Sequence, residues 1–193
     1  MIDWIDNEFR KIPKMMVTGC SAGGAGSQVN YYFLRDGLPQ VDKGYLLNDS
    51  GPIFPTTDSD WSIPLHDKIK ESWNLDPILD LMPPEYQLDD DLGNMNTAIA
   101  DLYPEDRLAI TYFQRDYNYS LYSYERFYDY PPKEEIHARW WDDTVELMSQ
   151  YDTKDNLAYY IPYWRDLNSS HCALIGYWTG TEIEEDDMRL DDF

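Results

Sequence analysis

The sequence predicts an α/β fold with a mainly parallel sheet and flanking helices, and two observations predict it. Four short apolar runs alternate with segments of helical character. Aromatic residues make up 16% of the 193 residues, with 17 Tyr and 7 Trp, enough ring surface for a substantial core.

The apolar runs are Lys14–Thr18, Gly44–Asn48, Leu108–Phe113 and Asn156–Ile161, each of a length and composition suited to a buried strand. Gly24 to Leu34 reads as a helix closed by Asp36-Gly37. Lys133 to Gln150 reads as another, with Ile136, Trp140, Trp141, Thr144, Val145 and Met148 near one face. The stretch from Pro52 to Arg107 is long and proline-punctuated, with shorter helices expected around Pro64–Trp73 and Asn94–Tyr103. No internal repeat or low-complexity linker divides the chain, so residues 1–193 read as one unit. Four strands are few for this architecture, and the first comes almost at the start. The expectation is therefore the C-terminal portion of a larger catalytic domain, with an uncapped sheet edge through which copies could self-associate.

The charge is lopsided: 37 acidic residues against 15 basic, a net of −22. Such a field repels phosphate backbones, which argues against nucleic acid as a partner. The triplet Asp89-Asp90-Asp91 and the tail Glu184-Glu185-Asp186-Asp187 read as solvated faces, because neither has the spacing or glycine of a calcium loop. No zinc pattern exists, and the sequence calls for no metal and no cofactor. No apolar run approaches the roughly 20 residues that span a bilayer. Met1 to Lys14 is mixed and charged, without the apolar centre of a signal peptide.

The chemistry concentrates at Gly19-Cys20-Ser21-Ala22-Gly23, which matches the G-x-S-x-G nucleophile pattern, with a strand before it and a helix after it. There a serine sits on a tight turn, and small residues two positions to either side let neighbouring backbones approach. The helix N-terminus favours developing negative charge, and the Ala22 N–H is the candidate oxyanion donor.

A serine hydroxyl needs a base, and the base needs an orienting acid. His171, in the loop-like Asn168–Cys172 stretch after the last strand, is the candidate base. His137 and His66 fall inside helical segments and read as surface or packing residues. Asp116 follows the Leu108–Phe113 strand and is the favoured acid. Asp49, after the preceding strand, is its rival, with a turn residue as the plainer reading.

The run GCSAGG at Gly19–Gly24, with LLNDSGPIF at Leu46–Phe54, resembles the pectin acetylesterase family, which also holds the Notum-type lipid-removing carboxylesterases. The resemblance implies an α/β-hydrolase-like fold, a serine carboxylic ester hydrolase and an acylated carbohydrate or small ester as substrate. It also implies an extracellular or cell-envelope setting. Ser21, Asp116 and His171 take the three catalytic roles, and Asp49 becomes a structural or pocket residue. The family carries an upstream glycine-rich oxyanion loop, and no such loop precedes Ser21. Cys20 and Cys172 flank the nucleophile and base; two buried free thiols are the first expectation for them, a disulfide the alternative.

Overall fold

The computed structural model describes residues 1–174 and, as backbone, the short antiparallel strands β5 (Glu184–Glu185) and β6 (Met188–Arg189). Asp186 and Asp187 of the acidic tail lie outside the described residues. Helix α1 (Ile2–Glu8) comes first, followed by β1 (Met15–Cys20), α2 (Ala22–Gly37) and β2 (Gly44–Asp49). Then come α3 (Ile63–Trp73), α4 (Asp76–Leu79), α5 (Met95–Leu102) and β3 (Arg107–Thr111). Helices α6 (Tyr119–Tyr124) and α7 (Lys133–Tyr151) precede β4 (Leu157–Tyr160).

The sheet order is β1-β2-β3-β4, with every pair parallel. All four predicted strands are present, with ends shifted by a few residues, and the class is α/β. A helix that the sequence does not signal, α1, precedes the first strand. No helix among the described residues is long and apolar enough to cross a membrane.

Alternate residues of each strand turn to one side, where Val17, Leu46, Leu108, Ile110, Leu157 and Tyr159 meet the helices in a single core. Trp140 is fully buried at its centre, edge-on to Phe54 at 5.1 Å and to Tyr112 at 5.3 Å. Truncating such a side chain costs about 3–5 kcal/mol. At the N-terminal end of the sheet, Asp106 is buried and ties β2 to α2. It accepts from Gly44 N at 2.7 Å, Tyr31 OH at 2.8 Å and Arg35 Nε at 2.6 Å.

Helix α7 departs from the expected face. Its buried stripe is Ile136, Trp140, Asp143, Thr144, Leu147 and Tyr151, whereas Trp141 and Val145 are 41% and 42% exposed. Apolar periodicity cannot separate two stripes one residue apart. Asp143 decides it, because its carboxylate accepts the hydroxyls of Ser59, Ser62 and Tyr124 and draws a charged residue inward.

His66 also departs from its surface reading. It is buried on α3, and burial pushes its pKa down to about 4 against a partial pull from Asp91 and Asp67. The unfolded chain protonates this residue near pH 6.5, the folded chain only near pH 4. Stability present above pH 6.5 is therefore lost as pH falls towards 4, by about 3 kcal/mol in full. Urea titrations at fixed pH should show His66→Leu flattening that fall by a comparable amount; an unchanged slope would remove the burial account.

Candidate active site

Strand β1 ends at Cys20, and the chain turns through Ser21 at φ 60° and ψ −125° before α2 begins at Ala22. That conformation is sparsely populated for a residue with a side chain and costs on the order of 1–3 kcal/mol. The surrounding bonds hold it: Ser21 N donates to Asp49 O at 2.8 Å, and Ser21 O accepts from Gly24 N at 2.8 Å and Ala25 N at 3.1 Å. Ala22, first in the helix, has no helical acceptor for its N–H, which leaves a donor beside the serine.

The glycines of the turn are not equivalent. A methyl group on Gly19 would collide with the Gly23 carbonyl. One on Gly24 would strike the Asn48 side chain and lie 2.8 Å from the Asp49 carbonyl oxygen. At Gly23 a methyl would meet open space. The close approach expected at Gly19 and Gly23 therefore falls at Gly19 and Gly24, because α2 crosses β2 one residue further on.

His171 and Asp116 meet, with Nδ1 2.7 Å from Oδ2. Asp116 is fully buried, and its Oδ1 accepts from Asn118 N at 2.9 Å and Tyr119 N at 2.8 Å. With the carboxylate as acceptor, Nδ1 donates, which leaves Nε2 as the proton acceptor of the neutral ring. Ser21, Ala22, Asn118 and His171 line one cavity of ≈ 290 Å³. Its walls are Ile69 and Trp73 from α3 and Tyr119 and Tyr122 from α6. The structure thus brings together Ser21, Ala22, Asp116 and His171.

Asp49 is placed differently. It is buried, and its oxygens accept from Ala173 N at 2.7 Å and Leu174 N at 3.0 Å, with Ser50 Oγ at 3.2 Å. Burial raises its pKa, and these donors and the nearby His171 oppose the rise. Asp49 fastens the loop that carries His171, and Asp116 is the carboxylate on the imidazole. Cys172 N donates to Ser50 Oγ at 3.0 Å, and the Arg165 guanidinium donates to the carbonyls of Cys172 and Ala173.

Cys20 and Cys172 are disulfide-bonded, with Cα atoms 5.7 Å apart, so free thiols are not what the structure holds. Adjacency to Ser21 and His171 brings the two backbones together, and their side chains meet as well. Among the described residues, one group of potential metal ligands converges, Cys20, His171 and Cys172, and its two sulfurs are bonded to each other.

His137 does not line the Ser21 cavity. It stacks on Tyr117 at 4.7 Å in a neighbouring cavity of ≈ 380 Å³, lined also by Arg115, Lys133, Trp141 and Tyr163. Sequence reasoning missed the cavity walls, since α6 is a tyrosine- and serine-rich helix without an apolar stripe to mark it.

Comparison of the chain with protein-family models, with curated proteins and with solved structures finds no match in any of the three.

The unequal glycines are open to test. Gly24→Ala should destabilise by about 1–3 kcal/mol through overpacking, a fall in Tm of roughly 2–4 °C per kcal/mol. Gly23→Ala should stay within about 1 kcal/mol of the parent, on the stabilising side, as a helix interior gains from alanine. Calorimetry showing equal losses at both positions would defeat the close-approach account.

Proposed function

We propose that this chain is a serine carboxylic ester hydrolase of the pectin acetylesterase kind, built on an α/β-hydrolase-like sheet. The observation that carries the reading is the shared cavity: Ser21 on its strained strand-to-helix turn opens into the same space as a histidine held by a buried carboxylate.

The mechanism follows from these positions. His171 Nε2 takes the Ser21 hydroxyl proton as Oγ attacks the ester carbonyl, and the carbonyl oxygen gains negative charge against the Ala22 N–H. Asp116 holds the imidazole by Nδ1 and balances its transient positive charge. Collapse of the tetrahedral intermediate breaks the bond to the alcohol oxygen, which leaves with the proton from Nε2. Water then enters, gives a proton to His171 Nε2 as its oxygen attacks the acyl-serine carbonyl, and collapse of that intermediate breaks the bond to Ser21 Oγ, which takes the proton back from Nε2 as the acid departs.

The substrate in this reading is an acetyl or other short acyl ester of a carbohydrate, in an extracellular or cell-envelope setting. A net charge of −22 disfavours a polyanion, so a neutral polysaccharide fits better. The cavity beside Asp116 adds support, since Trp141 and Tyr163 offer flat apolar faces and Arg115 and Lys133 offer hydrogen-bond donors, a combination suited to a sugar ring. One observation favours a Notum-like lipid deacylase as the second reading. The Ser21 cavity is walled by Ile69, Trp73, Tyr119 and Tyr122 and holds roughly ten times the ~30 Å³ of a water molecule, more than an acetyl methyl fills.

Hydrolysis of p-nitrophenyl acetate by the folded chain should disappear in Ser21→Ala. In Asp116→Asn it should fall on the order of ten-thousand-fold in kcat, because the wrong histidine tautomer is then favoured. A series of acyl lengths ranks the two ester readings: a maximum at acetyl supports the first, a maximum at longer chains the second. A folded parent without serine-dependent hydrolysis would defeat both and leave a non-catalytic binding protein.

A further inference from the structure

Parallel sheets are ordinarily covered on both faces, because their crossover helices leave neither side to water. Here, among the described residues, the helices and the main core lie on one side. The registers Met16↔Tyr45, Thr18↔Leu47, Leu47↔Ala109 and Ala109↔Ala158 align an opposite face whose residues belong to no core cluster, a small cluster of Phe113, Tyr160 and Ala173 covering only its C-terminal end. Met16 is 50% exposed on it, and it forms a groove of ≈ 770 Å³ along Met16, Tyr45, Leu47 and Ala109.

The rim of that face carries an unusual charge. Lys14 and Lys43 stand 5.8 and 5.7 Å from the Tyr45 ring, and Arg107 lies alongside, with Asp155 as the acidic residue on the same rim. None of the three cations makes an ion pair among the described residues, in a chain with 37 acidic residues. The face is therefore apolar in the middle and positive at the edge, the complement of most of this protein's surface.

Helix α1 has the opposite character. It buries no residue; Trp4 is 61% exposed and Phe9, just beyond its end, 49%, and the two rings pack edge-on at 6.1 Å. Asp3, Asp6 and Glu8 are exposed around them, with no cation inside the helix. Its seven residues span about 10 Å, against about 14 Å for four strands spaced ~4.8 Å apart. In its own copy α1 rests on α2, where Ile2 packs against Gly37.

We propose that two copies of this chain associate by exchanging α1. The Trp4–Phe9 pair of each copy seats on the Met16–Tyr45–Leu47 face of the other, and Asp3, Asp6 and Glu8 meet Lys14, Lys43 and Arg107. Reciprocal exchange makes the contact isologous and closes it at two copies. Direct stacking of two bare faces would instead set three cations against three, a like-charge juxtaposition that opposes association. This arrangement uses the face of the sheet, not the edge that the sequence singles out.

Analytical ultracentrifugation of the intact chain, from low micromolar to several hundred micromolar, tests it. The expected result is a monomer–dimer equilibrium that weakens as salt rises. Met16→Glu and Trp4→Glu should each weaken the dimer by about tenfold or more, with the fold checked by circular dichroism. Lys14→Glu with Lys43→Glu should weaken it too, and adding Asp3→Lys with Asp6→Lys to the same chain should restore it. Three results overturn the proposal: a monomer at every concentration, a dimer sensitive to Met16→Glu but indifferent to Trp4→Glu, and a dimer indifferent to both.

Discussion

The buried carboxylate of Asp49 is the fixture on which the arrangement of the site depends. It sits at the C-terminal end of β2 and accepts the backbone N–H groups of Ala173 and Leu174, more than 120 residues away in the chain. Hydrogen bonds to a charged group contribute about 1.5–3 kcal/mol each. Ser50 takes the Cys172 N–H, and the Cys20–Cys172 disulfide joins the same loop to the end of β1. His171 is therefore fastened on its C-terminal side to both strands that flank the serine. Two neighbouring strand ends supply two carboxylates, and their partners separate them. Both oxygens of Asp49 are committed to the backbone of the loop, while Asp116 keeps Oδ2 for the imidazole.

The cavity wall is continuous with the core. Between ring centres, Tyr119 lies 6.1 Å from Trp140 and 6.4 Å from His171. Trp140 also donates Nε1–H to Phe113 O at 3.1 Å, just past the end of β3 and three residues before Asp116. Well-packed rings resist displacement because interiors are as dense as organic crystals. The same residues that stabilise the helical side of the sheet thus hold Asp116 and one wall of the cavity in place. The core on the helical side is consequential for the site, although among the described residues most of the other face of the sheet is uncovered.

The elements legible in the sequence were those whose pattern is local. Four apolar runs marked the strands, and Ser21, Asp116 and His171 could be named because each follows one, which is where parallel sheets present polar residues. What the sequence left open required knowing which atoms face each other. Asp49 and Asp116 occupy similar positions at neighbouring strand ends, and only the direction of their oxygens divides a loop clamp from a histidine partner. Trp141 and Val145 fit the helical period of α7 as well as Asp143 and Leu147 do, until three hydroxyls converge on Asp143. His66 looked like a surface residue because the segments that bury it are irregular and carry no period. The disulfide runs against the first expectation of free thiols, because adjacency to Ser21 and His171 fixes two backbones without fixing two Cβ directions.

Strain is concentrated around Ser21 and His171. Among the described residues ten without glycine's freedom adopt positive φ, and six of them are Ser21, Ser50, Asn168, Ser169, Ser170 and Cys172. Four of them, Asn168, Ser169, Ser170 and Cys172, lie in the loop carrying His171, and at about 1–3 kcal/mol each they cost on the order of 4–12 kcal/mol. A disulfide closing a loop with a sequence separation of 152 contributes about 5 kcal/mol in the chain-entropy picture. The two Asp49 bonds contribute about 3–6 kcal/mol more. The opposing quantities are similar, so the loop carrying His171 keeps its conformation only while these fastenings act together. Such a loop does not have to be ordered again when a ligand arrives, which keeps the His171 imidazole in place at the cavity. A relaxed loop would fold with less strain but would have to pay its ordering entropy at each encounter.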